Sequence, residues 1–352
     1  MAIPSSLTAN YDALLSTTLY NYQASGGLKD QISTSNAFLY TLMTKRKEGY
    51  VTKNSIGYKA QIPLMYAVNS FDSYDGYDQL DVSPFDGITS AFFDWRQAST
   101  PIAISGKEEK MNKGPEQLID LLDSKIKQAE IGIKEGIAKA MLQGAGGSSI
   151  TTAYTSPANG SSFVDPLPTL VYYDSTQAAT VGNIAQGTYS WWQNKYSQSS
   201  ASTFAGLFKE LDHLYNNCSK GPGGPPDFHL TEQQTFELYQ AALRSKMQFI
   251  EYSKADIPFE NVLYRGQPLV WDEFMPDAYS GSTTITYGTW YMLNLQFFQI
   301  QVEGSTDFVT TPFIKPENQD AKVAHVMWMG AMLCSNRRKQ GVLQHITLST
   351  AS

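Results

Sequence analysis

The sequence predicts an α+β fold, and three observations carry that reading. One long amphipathic helix lies near the first third of the chain. Two strand-like runs flank an acidic loop before it, and a mixed α/β stretch separates the helix from a strand-rich C-terminal region. The 352 residues are 42% hydrophobic, 17% charged and 12% aromatic. That composition is globular and excludes both a disordered chain and a small disulfide scaffold.

Residues 1–45 are rich in Ser, Thr, Asn and Tyr with scattered apolar positions, so they order only against another surface. A basic knot follows at Lys45, Arg46 and Lys47. Ile56, Tyr58, Ala60, Ile62, Leu64 and Tyr66 then alternate with mostly polar neighbours, the period of a half-buried strand. Asp72, Asp75, Asp78, Asp81 and Asp86 occupy a loop over 70–87 that holds no cation and is punctuated by Gly76, Pro84 and Gly87. A second strand-like run, ITSAFFDWRQASTPIAIS, completes a hairpin over 46–104. A two-stranded hairpin is marginal alone, so this one is expected to lie across another surface.

Pro115 and Glu116 open the helix, Gln143-Gly144 stop it, and Leu118, Leu122, Ile126, Ala129, Ile133, Ile137 and Ala140 recur at steps of four and three. Residues 115–143 form a rod of ~43 Å at 1.5 Å per residue. Gly132 and Gly136 interrupt it. Close packing against a neighbour is the preferred explanation, and a bending point the alternative.

Beyond Gly144 come Gly/Ser-rich loops with one short strand expected at Thr169–Tyr173. A helix runs from Phe204 to the GPGGPP stop. A strand is expected at Asp227–Leu230, and a second helix starts from a capping box of Thr231 and Gln234. Further strands fall at Asn261–Tyr264, Pro268–Trp271, Thr283–Leu295 and Phe297–Val302. The final forty residues read as strands around the triplet Arg337, Arg338 and Lys339, taken by default as a solvated charge run. These terminal strands are expected to pack with the rod, the α/β unit being inserted between them.

No chemistry stands out. The four histidines, His213, His229, His325 and His345, show no metal spacing, and neither cysteine, Cys218 nor Cys334, sits in a CxxC. No phosphate-binding or nucleophile-elbow motif occurs. The aspartates of 70–87 lack calcium-loop spacing and read as a solvated or partner-facing loop. No catalytic, cofactor or metal residue is assigned. The net charge of −7 excludes a whole-chain basic field for sequence-specific nucleic-acid binding. The opening residues MAIPSSLTANYDALL lack the features of a signal peptide, and no apolar run reaches the length of a membrane span.

The stretches PLMYAVNSFDSYDGYDQLDVSPFDGIT, ISGKEEKMNKGPEQLIDLLDSKIKQAEIGIKEGIAKAML, WWQNKY, LYNNCSKG, TWYMLNLQFF and PENQDAKVAHVMWMGAMLCSNRRKQGVL together resemble the major capsid proteins of tailed bacteriophages. The resemblance implies a Hong Kong 97-like capsid fold. Its parts are an N-terminal arm (1–45), an extended β-hairpin loop (46–104), a peripheral domain with a long spine helix (105–165 and 311–352, the helix at 115–143) and an axial α/β domain (166–310). It implies a non-enzymatic protein that assembles as hexamers and pentamers into an icosahedral shell around double-stranded DNA. Such a protein touches that DNA non-specifically, without membrane contact. It also implies portal and scaffolding partners and room for a decoration protein, with assembly in a bacterial cytoplasm and residence in the virion.

The sequence departs from relatives that carry a long charged scaffolding segment before the arm, which points to a separate scaffold or arm-guided assembly. Inter-subunit contacts are expected from Asp72, Asp75, Asp78, Asp81 and Asp86 against Lys45, Arg46 and Lys47 or Arg337, Arg338 and Lys339. Gly132 and Gly136 are the candidate hinge. An encapsulin compartment is the rival within the same fold. A hydrolase using the acidic loop 70–87 and a sheet-rich adhesin are the rivals outside it.

Overall fold

The computed structural model describes residues 37–45, 49–53, 57–69, 71–79, 83–111, 121–143, 164–174, 179–244, 262–275 and 288–346. In chain order they begin with helix α1 (Ala37–Tyr40), continued by a π-turn over Thr41–Lys45, and strands β1 (Tyr50–Lys53), β2 (Ala60–Met65), β3 (Ile88–Phe93) and β4 (Arg96–Ser105). Helices α2 (Gly106–Met111), α3 (Leu121–Gln143) and α4 (Leu167–Leu170) follow, then strands β5 (Thr180–Val181), β6 (Ile184–Ala185) and β7 (Lys195–Gln198). Next come α5 (Phe204–Ser219), β8 (Phe228–Thr231), α6 (Gln233–Arg244), β9 (Val262–Tyr264) and β10 (Gln267–Trp271). The chain closes with β11 (Gly288–Leu293), β12 (Phe298–Glu303), β13 (Val309–Thr310), β14 (Ala321–Cys334) and β15 (Gly341–Ile346). Residues 97–137 and 304–329 form one compact unit, and the other described residues a second.

In the first unit β13 pairs antiparallel with β14, Val309 opposite Met327, and β4 also pairs with β14. Ser105 and Glu108 make a reciprocal capping box at the start of α2: the Ser105 amide donates to Glu108 Oε2 (2.9 Å) and the Glu108 amide to Ser105 Oγ (3.2 Å). Lys125 on α3 donates to the same carboxylate (3.0 Å) and to Ala103 O on β4 (2.9 Å), tying helix to strand. The Gly106 amide donates to Asp320 O, and a Cβ at Gly106 would lie 2.5 Å from the exposed Asp320 carboxylate, so a larger residue there would have to push that side chain aside.

The expected rod is helical over its described part, 121–143, with Ala129, Ile133 and Ile137 buried at the predicted spacing. Residues 115–120, including the Pro115 start, lie outside the described residues. Gly132 and Gly136 are exposed, and a Cβ on either meets no described atom within 4 Å. Among the described residues, then, nothing packs closely against either glycine.

The second unit centres on a six-stranded sheet in the order β7-β15-β11-β8-β10-β9. Trp290 and Met292 of β11 and Leu343 of β15 join Leu207, Leu211 and Leu214 of α5 and Phe236 and Tyr239 of α6 in one core. Thr203 caps α5 by accepting from the Gly206 amide (3.3 Å). Beside this sheet, β1 pairs parallel with β12, and β12 antiparallel with 330–334 of β14. Helix α1 is anchored by Phe38 against Phe228 and Phe298 and by the buried Asp272, whose carboxylate accepts from the Phe38 amide (3.4 Å).

Three expectations change here. Strand β15 pairs with β11 and β7, so 341–346 belong to the α/β sheet and not with the rod. The strand expected at Thr169–Tyr173 begins as helix α4 behind Pro166. Tyr172 then meets a side chain in place of a strand: its amide donates to Asn194 Oδ1 (3.1 Å) and its carbonyl accepts from Asn194 Nδ2 (2.7 Å). Thr231 does not cap α6. It is a strand residue whose hydroxyl donates to Thr289 O (2.9 Å), and the first helical hydrogen bond runs from the Phe236 amide to Glu232 O.

Candidate interaction surface

Strands β2 and β3 pair antiparallel from Ala60 opposite Phe93 to Met65 opposite Ile88. Because side chains alternate along a strand, this register sorts them into two faces. Ala60, Leu64, Ala91 and Phe93 are buried on the inner face. The outer face carries Gln61, Pro63 and Met65 opposite Phe92, Ser90 and Ile88. Met65 is 76% exposed and Ile88 71%.

The inner face is covered by the β5–β6 hairpin, whose turn residues Gly182 and Asn183 both have positive φ. A Cβ at Gly182 would lie 3.0 Å from Ala91 Cβ and from the Phe93 ring, and the Phe92 amide donates to Gly182 O (3.0 Å). At the tip side of the strands Tyr66 stacks on Trp191 with ring centroids 5.0 Å apart. Its hydroxyl donates to Asp86 O (2.7 Å). At the opposite end Lys59 pairs with Asp94 (2.9 Å), and Trp95 Nε1 donates to Gly57 O (3.0 Å).

Beyond this root the loop is wet and aromatic. Val68, Phe71, Tyr74, Tyr77 and Phe85 are all exposed, Phe71 and Tyr77 almost fully. Monomeric soluble proteins rarely leave such a run of large apolar side chains in water, and contiguous exposure of this kind marks an interaction surface. Asp72, Asp75, Asp78 and Asp86 are exposed among them. The Asp75 amide donates to Asp78 Oδ2 (3.0 Å) and the Asp78 amide to Asp75 O (2.8 Å), a local turn. Asp81, Arg46 and Lys47, and the side chain of Lys45, lie outside the described residues.

The triplet at 337–339 is corrected. Arg338 is exposed, but Arg337 and Lys339 are 1% and 2% exposed. Arg337 donates to Leu170 O (2.8 Å), Trp192 O (3.0 Å), Gln186 Oε1 (2.8 Å) and Asn194 Oδ1 (3.2 Å). Burial lowers its pKa to about 10, so it remains a cation at neutral pH. Lys339 Nζ shares its protons among Ser219, Lys220, Gly221 and Gly224 carbonyls at 2.8–3.3 Å, where α5 ends. A local charge run carries no signal of this, since the acceptors come from segments more than 100 residues away in the chain.

Elsewhere His229 and both cysteines are sequestered, while His213 and His325 are exposed. His229 is fully buried and burial pushes its imidazole down to about 3, while the thiols of Cys218 and Cys334, both free, are pushed up to about 12. Among the described residues no three His, Cys, Asp or Glu side chains are grouped to hold a metal, and no helix is long and apolar enough to cross a membrane.

With the helix, the hairpin and the helix-backed sheet in place, solved structures similar to this chain over nearly its whole length can be compared. The cyanophage A-1(L) capsid subunit matches at TM-score 0.67 and 14% identity, over 94% of this chain and 98% of that one. The capsid of an empty GTA particle matches at 0.58 and 12%, over 97% and 99%. The SrpI encapsulin of Synechococcus elongatus PCC 7942 matches at 0.55 and 9%, over 100% and 98%. No protein-family model and no curated sequence matches. The fold is thus the Hong Kong 97-like one that the sequence resemblance implied, with phage capsid subunits as its structural neighbours.

Proposed function

We propose that this protein is the major capsid protein of a tailed phage, which assembles as hexamers and pentamers into an icosahedral shell around packaged double-stranded DNA. The observation that carries this is the solvent-exposed apolar and aromatic surface of 58–92 in a chain whose structural neighbours are capsid subunits. Burying Met65 and Ile88 against another subunit contributes up to ~1.5–3 kcal/mol each, and the already largely covered Phe92 less, so many copies hold a shell through contacts that are individually reversible.

In this reading α3 with β4, β13 and the first part of β14 makes the peripheral domain, and the sheet backed by α5 and α6 the axial domain. The exposed Gly132 and Gly136 let α3 bend as the shell matures. The aspartates at 72–86 set register against cations of a neighbouring subunit. Of the triplet 337–339 only Arg338 serves that role, because Arg337 and Lys339 hold the chain's own carbonyls. The protein is structural, not catalytic, and acts in the virion after assembly in the host cytoplasm.

The SrpI neighbour supports a second reading, a protein compartment without a genome. Electron microscopy of native particles, with nuclease-protected nucleic acid measured in the same fraction, separates the two. Uniform polyhedral shells holding DNA are expected. Shells that hold cargo protein and no DNA favour the encapsulin, and a concentrated protein that stays monomeric overturns both.

A further inference from the structure

We infer that the hairpin grips a second copy of this chain with its outer face and never with a strand edge, and that Pro63 enforces the choice. The inference rests on the shell-forming reading and adds to it which atoms make the contact. Two hydrogen bonds fix the geometry. The Tyr66 amide donates to Gly87 O across the pair, and the Phe92 amide donates away from it to Gly182 O. In an antiparallel pair both backbone groups of one residue point the same way, and the direction alternates. Residues 60, 62, 64 and 66 therefore point toward β3, and Gln61, Pro63 and Met65 point their backbone groups out along the edge of β2 that no described strand pairs.

Proline has no amide hydrogen, so the centre of that edge lacks the donor an added strand would need. The other edge is occupied where Phe92 meets Gly182. Exposed edges are liabilities that proteins blunt by these means.

The outer face is left available, and its chemistry suits burial. Met65 and Ile88 are direct cross-strand partners, Pro63 and Phe92 continue the apolar strip, and no charge lies on it. Its two polar side chains already bond to each other, Gln61 Nε2 donating to Ser90 Oγ (3.0 Å), which reduces the polar groups an occupant must pair. The occupant is a second copy by charge as well. The aspartates of 66–87 carry most of the chain's net −7, which leaves the remainder of a neighbouring copy near neutral and able to accept an acidic limb.

The test uses the full chain and hydrogen peroxide as a footprinting probe, with Met65 sulfoxide read by mass spectrometry. In assembled particles Met65 should oxidise about an order of magnitude more slowly than in dissociated subunits, because sulfoxide formation follows exposure. The buried Met332 serves as the internal control, slow in both. M65E/I88E should leave a subunit with unchanged circular dichroism that forms no shells. P63T, which restores the donor to the edge, should divert subunits into thioflavin-positive edge-paired aggregates. Wild-type shells in which Met65 oxidises as fast as in free subunits, or normal shell yield from M65E/I88E or from P63T, would overturn the face-on grip and leave the capsid reading standing. A wild-type protein that forms no shells removes the capsid reading itself, and the inference with it.

Discussion

Replacing Arg337 by Ala should cost far more than the loss of a surface charge, and the magnitude follows from its surroundings. Burial, partly offset by Cys334, lowers the guanidinium pKa from 12.5 to about 10, which at ~1.36 kcal/mol per unit is a net penalty of about 3 kcal/mol for holding the charge inside. Four hydrogen bonds oppose it, to Leu170 O, Trp192 O, Gln186 Oε1 and Asn194 Oδ1. Hydrogen bonds to a charged group contribute ~1.5–3 kcal/mol each, so they outweigh the penalty. In R337A the penalty disappears, but buried acceptors lose their donor and a cavity opens. The net loss should be about 3–6 kcal/mol, a large part of a typical domain's ~5–15 kcal/mol. Lysine keeps the charge but lacks the fork, and R337K should fall about halfway. Urea unfolding followed by tryptophan fluorescence is a suitable assay, because the guanidinium lies 5.8 Å from the Trp192 ring centroid and that ring reports its loss. If R337A unfolds within about 1 kcal/mol of wild type, the four bonds do not hold these segments together and the reasoning fails.

Other perturbations separate fold from assembly. G132A and G136A meet no described atom and should each raise subunit stability by up to about 1 kcal/mol through helix propensity, while slowing shell expansion. Normal expansion on cryo-EM time courses would remove the hinge. Charge reversal in D75K/D78K should lower shell yield and alter its salt dependence, exposed pairs contributing ~0–1 kcal/mol each. An unchanged salt profile would show that the aspartates set no register. Asp272, beside Glu273 and the amides of α1, is raised to about 6 chiefly by burial. The folded state then binds the extra proton between about pH 4 and 6, and Asp272's contribution to stability declines as pH rises through that window. D272N should remove that share of the slope, and urea midpoints at pH 4.5 and 7.5 that shift equally in wild type and variant would refute it.

Periodicity made much of this fold legible. The alternation of Ala60, Ile62 and Leu64 and the three- and four-residue steps of Ala129, Ile133 and Ile137 are local properties of the chain, and they mapped onto β2 and α3 with the expected faces buried. Features decided by distant partners were not legible. Nothing near Arg337 signals carbonyls supplied from Leu170 and Trp192. Nothing around TLVYY announces that the Asn194 amide will take the place of a neighbouring strand. Helix α2 carries only the local signal of its Ser105 and Glu108 capping box, because six residues are too few for a helical period to show. The outer face of the hairpin was not legible. The alternation singled out Ala60, Ile62 and Leu64 and not Met65, and the register that sets Met65 opposite Ile88 depends on a loop whose length fixes no register by itself.

In the proposed shell, a limb that docks many times over gains most if it is already pointed. A free two-stranded hairpin is marginal, and ordering it at the moment of contact would consume much of the binding energy. Here the ordering is done inside the subunit. Gly182 lies against Ala91 and Phe93, Trp191 stacks on Tyr66, and Arg337 fixes the neighbouring Gln186, Trp192 and Asn194. The buried cation and the exposed apolar strip are thus parts of one device, since the first restrains the segment on which the second is mounted. This coupling has a consequence for variants. Weakening Arg337 should depress shell formation more steeply than subunit stability, because a loosened root restores the entropic cost of docking before it unfolds the sheet. Measuring both in R337K tests it: a fall in assembly no larger than the fall in stability would uncouple clamp from limb.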